Sequence, residues 1–130
     1  MSIIVLDHIQ LAMPPGGESE ARSFYTDILG FEEIEKPEPL RHRGGCWFKI
    51  TGAEVHLGIE EDFRPAKKAH PAFRVVNIAV VKDSLMAKGF SVTADTVLPG
   101  FDRFYTADPF GNRIEFLEAQ NDKAEKRSYV

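Results

Sequence analysis

Three of the four histidines in this 130-residue chain occupy related places in its sequence, and one glutamate belongs with them. His8 lies in "LDHIQLAM", His56 in "EVHLGIE", His70 in "KAHPAFRV" and Glu115 in "DPFGNRIEFLE". Imidazole and carboxylate form a donor mix that suits Zn, Fe, Ni or Mn. Glu115 poses the sharpest question, because its neighbours Ile114, Phe116 and Leu117 all call for burial. Strand side chains alternate between faces, so Ile114 and Phe116 take one side and Glu115 the other. A core strand can therefore carry a carboxylate without breaking the core.

The elements that position these residues recur. A β-rich run from Ile3 to Met13 places Val5, Ile9 and Leu11 on one face and His8 and Gln10 on the opposite one. After "PPGG", apolar residues at helical spacing and an acidic first turn predict a helix over Glu18 to Leu29, closed by Gly30. Strands are expected at Phe31 to Glu35, Cys46 to Ile50 and Glu54 to Glu60, with the loop "KPEPLRHRGG" between the first two. The polar connector "EDFRPAKKA" follows, and the order restarts with a strand over His70 to Val76. Asn77 can cap the next helix, which reaches Lys88. The β-branched "IAVV" opposes a helix there, but Ile78, Val81, Leu85 and the closing Gly89 have helical spacing. Short strands are expected at Phe90 to Ala94, Phe101 to Thr106 and Arg113 to Ala119.

Each half thus reads strand, helix, strand, strand, strand, and each helix ends in Gly-Phe. His56 follows Gly30 at the same distance, 26 residues, as Glu115 follows Gly89. His8 and His70 sit on the first strand of a half, and His56 and Glu115 on the last. Such a repeat sets the architecture, because one half alone cannot bury both faces of its sheet. The expected organisation is one domain over residues 1–119, with module one at 3–60, a connector at 61–69 and module two at 70–119. A polar tail occupies 120–130 and is expected to fray. The apolar strand sides should pack on the two helices, leaving the polar sides to face solvent or a shared cleft.

Composition bounds the function. A net charge of −4 and a pI near 5.6 give no reason to expect nucleic acid or an anionic membrane as partner. The single cysteine, Cys46, rules out an internal disulfide framework and suits a reducing cytoplasm. No apolar run approaches the length of a membrane span, and the first residues lack the basic leader of a signal peptide.

The segments "LDHIQLAM", "FYTDILGFE", "EVHLGIE", "AHPAFRV" and "FYTADPFGNRIEFLE" together resemble the vicinal oxygen chelate superfamily. It includes glyoxalase I, bleomycin-resistance proteins, fosfomycin-modifying enzymes and extradiol dioxygenases. The resemblance spans Leu6 to Glu118. It implies an α+β fold of two paired βαβββ modules, whose curved eight-stranded mixed sheet surrounds a cleft with the helices outside. It also implies that His8, His56, His70 and Glu115 are metal ligands for a divalent ion (Zn, Ni, Mn or Fe). Glu115 is then a candidate proton shuttle, and His56 a ligand or an acid/base group. In the fosfomycin and dioxygenase branches the ligands are two histidines and a glutamate, here His8, His70 and Glu115.

The implied activity is that of a metal-dependent lyase or isomerase, thiol transferase or dioxygenase acting on a small oxygen-bearing substrate. The alternative is a metal-free small-molecule binder of the bleomycin-resistance type. His56 stands where glyoxalase I typically carries glutamate, which points away from the lactoylglutathione reaction. The resemblance favours a homodimer. Arg103, Tyr105 and Arg113 are candidates to hold an anionic substrate group, or else ordinary sheet-surface residues. Of Trp47 and Phe48, which point to opposite faces, one should enter the core and the other form an apolar wall, with Trp47 the candidate substrate contact. Cys46 reads as a small core residue, His42 as part of a solvated basic loop or lid, and "DPFGN" as a structural turn whose Gly111 and Asn112 tolerate positive φ.

Overall fold

A computed structural model describes residues 2–123. The chain divides into two compact units, Met1–Pro65 and Ala66–Val130. Each unit carries a four-stranded mixed sheet, so the eight expected strands are all present and neither sheet closes on itself. The first unit runs β1 (His8–Met13), α1 (Glu18–Arg22), β2 (Glu32–Ile34), β3 (Cys46–Ile50) and β4 (Ala53–Ile59). Its strand order is β1-β4-β3-β2, with β1 parallel to β4 and the other pairs antiparallel. The second unit runs β5 (Ala72–Arg74), α2 (Ile78–Ala87), β6 (Thr93–Asp95), β7 (Phe101–Ala107) and β8 (Arg113–Ala119), in the order β5-β8-β7-β6 with β5 parallel to β8.

The repeat is visible in the register. In the first unit His8 lies two residues before Gln10, which faces His56 across the β1–β4 pair. In the second, His70 lies two residues before Ala72, which faces Glu115 across the β5–β8 pair. On the adjoining strands Trp47 faces His56 and Tyr105 faces Glu115. An aromatic ring therefore stands beside the equivalent position in each unit.

Alternation sorts the faces as expected. Leu11, Met13, Phe48, Val55 and Leu57 are buried with Ala21, Phe24 and Tyr25 of the helical segment. The Tyr25 and Phe48 rings lie 5.4 Å apart. The second core joins Leu85 of α2 to Phe104, Ile114 and Phe116. Glu118 shares that apolar face at 2% exposure, and its carboxylate accepts the Ile78 backbone N–H at 3.3 Å. It thereby does what was expected of Asn77, which occupies the cap position but makes no side-chain cap bond. An anionic group at a helix start satisfies an orphan donor and complements the helix dipole.

The differences from expectation lie at element edges. The first helix is α-helical only to Arg22, then widens into a π-helix over Ser23–Ile28. Gly30 and Gly89, at φ +80° and +85°, end both helices in left-handed geometry. There the N–H groups of Phe31 and Phe90 bond back to Tyr25 and Leu85 carbonyls, at 2.8 and 3.0 Å. Residues 3–6 are not strand; Ile4 is 90% and Val5 66% exposed, so Val5 does not join the core face. The second unit's first strand starts after Pro71, which cannot donate a ladder bond, although its carbonyl accepts Glu115 N–H at 3.0 Å. The loop "KPEPLRHRGG" contains a 3-10 helix over Glu38–Arg43. In "DPFGN" only Gly111 has positive φ. Asn112 is instead buried, donating to Asp108 Oδ2 at 3.0 Å and accepting from Ala66 N–H at 3.1 Å. The expected tail divides into a 3-10 turn at Gln120–Lys123 and residues 124–130, which lie outside the described residues.

Candidate metal and substrate site

The first unit brings His8 and His56 together. Their rings stack with centroids 4.3 Å apart, and Trp47 stacks on His56 at 3.8 Å with an interplanar angle of 2°. His56 is only 4% exposed and therefore held between two rings. Its Nε2 lies 2.9 Å from Glu54 Oε1, while His8 Nδ1 lies 2.9 Å from Asp7 Oδ2. Cross-strand pairing explains the stack, because Trp47 and His56 are direct partners on one face of the sheet. Trp47 lies on the polar face and Phe48 in the core, as alternation requires.

The second unit brings together His70, Glu115, Arg103, Tyr105 and Arg113. His70 Nε2 lies 2.9 Å from Glu115 Oε1, and His70 Nδ1 lies 2.9 Å from the Lys68 carbonyl. Arg103 Nη1 donates to the other Glu115 oxygen at 3.4 Å, and its Nη2 donates to Asp95 at 3.1 Å. The Arg113 guanidinium sits 4.0 Å from the Tyr105 ring centroid, and the His70 ring meets Tyr105 edge-on at 5.5 Å. Burial works against the Arg103 charge, yet Asp95, Tyr105 and Glu115 together hold its pKa above the ordinary value. Asp95 in turn is held below its ordinary value by the Val97 backbone N–H and the charge of Arg103.

The donor set fits a metal in one specific respect. A histidine that ligates a metal characteristically donates its other ring N–H to a carboxylate or carbonyl, which fixes the tautomer. All three histidines have such an acceptor: Asp7 for His8, Glu54 for His56 and the Lys68 carbonyl for His70. The Lys68 carbonyl can only accept, so His70 Nδ1 carries a proton and Nε2 faces Glu115. A lone pair there, 2.9 Å from a carboxylate oxygen, is repulsive unless a proton or a cation lies between them. Among the described residues no three of His, Cys, Asp and Glu gather closely enough to hold an ion. The sequence candidates come as two pairs, one in each unit.

Four orienting groups were not singled out from the sequence. Asp7 and the Lys68 carbonyl act from outside the strands; the expected strand from Ile3 would have put Asp7 on the face opposite His8. Asp95 lies one residue past the expected sixth strand, yet pairs with Arg103 in the ladder. Glu54 alone carried a signal, being two residues from His56 and on its side of β4.

Comparison with known proteins gives a consistent assignment. The sequence model of the Glyoxalase/Bleomycin resistance protein/Dioxygenase superfamily matches residues 6–116. A solved structure from Bacillus anthracis, described as of the glyoxalase family, is 52% identical with a TM-score of 0.89. That match covers 92% of this chain and 98% of the other. The Arabidopsis thaliana protein Glyoxylase I 4 is 29% identical over 113 residues, which is 78% of this chain; the chain spans 64% of that relative's length. The fosfomycin resistance protein FosX of Listeria monocytogenes shares the fold, with a TM-score of 0.72 at 17% identity over 93% of this chain and 98% of its own. This chain belongs to the Glyoxalase/Bleomycin resistance protein/Dioxygenase superfamily.

Proposed function

We propose that the protein is a divalent-metal-dependent enzyme that acts on a small substrate bearing two adjacent oxygens. Its reaction is of the lyase or isomerase, thiol transferase or dioxygenase type. His8, His56, His70 and Glu115 are the candidate ligands for Zn, Ni, Mn or Fe. One observation carries the reading: His70 Nε2 and Glu115 Oε1 face each other at 2.9 Å, with His70 Nδ1 already committed to a carbonyl. A divalent ion would polarise the substrate oxygens and stabilise negative charge as it develops. Glu115 is the candidate base, because its carboxylate can take a proton next to a substrate carbonyl while Arg103 steadies its second oxygen. Arg113, stacked on Tyr105 and without an ion pair among the described residues, is better placed than Arg103 to meet an anionic substrate group.

The proposal includes a homodimer in a reducing cytoplasm. No helix among the described residues is long and apolar enough to cross a membrane. The decisive experiment is metal analysis of protein purified without a polyhistidine tag, beside His70→Ala. A stoichiometric divalent metal that His70→Ala loses supports the enzyme. If no metal copurifies, none binds at micromolar level and His70→Ala changes nothing, the chain is instead a metal-free small-molecule binder. Sedimentation should give about twice the 14.6 kDa chain mass for the dimer.

A further inference from the structure

The first unit contains a small pocket beside Trp47, the cross-strand partner of His56. Its cavity of about 180 Å³ is bounded by Gln10, Lys36, Leu40, Arg43, Trp47 and Gly58 among others. We infer that this pocket is an oxyanion subsite, which takes a carboxylate or phosphonate tail of the substrate in addition to any anionic group that Arg113 meets. The inference rests on the function proposed above and narrows its substrate class to small molecules with an acidic tail.

Charge is the first reason. No acidic residue lines the pocket, whereas Lys36 and Arg43 both do. Arg41, in the same loop, is consumed by holding it, since it donates to the Lys36 carbonyl at 3.0 Å and pairs with Glu35. Arg43 has no ion pair or hydrogen bond among the described residues. Lys36 donates to the Gly44 carbonyl and keeps its other ammonium protons. The nearby carboxylate of Glu18, which accepts the Gly45 N–H at 3.0 Å, stays charged and offsets part of the Lys36 charge, so Arg43 is the cation left uncompensated. Two cations thus border one small cavity, and a planar guanidinium suits a carboxylate or phosphonate.

The second reason is that the loop is fixed. Gly44 and Gly45 have φ of +71° and +84°, and a Cβ on Gly45 would lie 2.1 Å from the Leu57 carbonyl oxygen. The backbone is therefore pressed against β4, which fixes the segment that carries Arg43, while Lys36 is tied to the Gly44 carbonyl; having less to order on binding lowers its cost. Size and position complete the argument. Whole ligand pockets run to roughly 300–1,000 Å³, so this cavity suits one group of a ligand rather than all of it. Trp47, its wall, is the ring stacked on His56 at 3.8 Å, and Gln10 is the β1 partner of His56.

The test uses the full-length protein after chelator treatment, so that its result does not depend on metal. Trp47 is the only tryptophan in the chain and reports on the pocket directly. Methylphosphonate and acetate are titrated separately at fixed ionic strength while its fluorescence is followed. A saturable change with either anion is expected, and the tighter one names the tail. Arg43→Gln, at an exposed position without bonds to lose, should weaken binding at least roughly tenfold, the scale of one charge-assisted contact. The inference is overturned if neither anion saturates, or if Arg43→Gln titrates like the parent protein. Loss of metal binding alone would sink the metal enzyme and leave this subsite standing; failed anion titration would do the reverse.

Discussion

At the scale of single residues, the site depends on what holds each imidazole. His56 is clamped between Trp47 and His8, and its Nε2 is directed by Glu54. If His56 ligates, it does so through Nδ1, and Glu54 is its orienting carboxylate. Glu54→Gln should then weaken divalent-metal affinity roughly 10–100-fold, as losses of such partners do. Competition with a chromophoric chelator measures it, and unchanged affinity would remove His56 from the ligand set. Cys46 is the opposite kind of residue. It is buried, and that burial pushes its thiol up to about 11 from an ordinary 9.0. Between these values the unfolded chain loses the thiol proton and the folded one keeps it, so this group's contribution to stability falls as pH rises from 9 to 11. At pH 8 iodoacetamide should label Cys46 slowly in the folded protein and quickly in urea. Equal rates would show an exposed thiolate that the fold does not contain.

At the scale of elements, strand alternation made the site face legible, while element ends were not. "CWFKI" and "RIEFLEA" form strands at the expected boundaries because their apolar and polar residues alternate cleanly within paired ladders. "IAVV" became helix despite its β-branched residues, because Leu85 had a core to enter and Gly89 a left-handed turn to make. The first strand starts only at His8, since β4 offers residues 8–13 a partner and the "IIVL" before them pairs with none of its strand residues. The junction between α1 and the basic loop was also invisible, because Glu18 and Gly45 are 27 positions apart. There the Gly45 N–H holds the Glu18 carboxyl below its ordinary 4.5. A carboxylate depressed in the fold contributes stability above its unfolded pKa and loses it as pH falls through the folded value. Glu18→Gln should therefore be less stable than the parent at pH 7, and the gap should close below about pH 4.5. Urea melts of both proteins at several pH values test it; a gap that is constant with pH would show that the bond holds no charge.

At the scale of the whole molecule, the repeat was readable because spacing survives where residue identity does not. His56 and Glu115 differ in chemistry, yet each lies on the last strand of its unit, faces an aromatic residue, and is registered to a strand residue two positions after a histidine. The assembly of a metal centre was not readable in this way. Spacing assigns residues to strands and faces, whereas ligation depends on distances between side chains. A ligand that binds only the native state stabilises it by mass action, about 2.7 kcal/mol when present at a hundred times its Kd. For a chain of 130 residues that is a rise in Tm of roughly 10 °C. Protein stripped with chelator should therefore melt markedly higher with one of Zn, Ni, Mn or Fe, and much less so with Mg, whose preference for oxygen donors suits this set poorly. Glu115→Gln retains the shape of the side chain and removes its charge, so it should abolish most of that rise while leaving the metal-free Tm within a few degrees. If the four metals leave Tm unmoved, the paired acceptors around His8, His56 and His70 serve only to satisfy polar rings, and catalysis through a resident ion is ruled out.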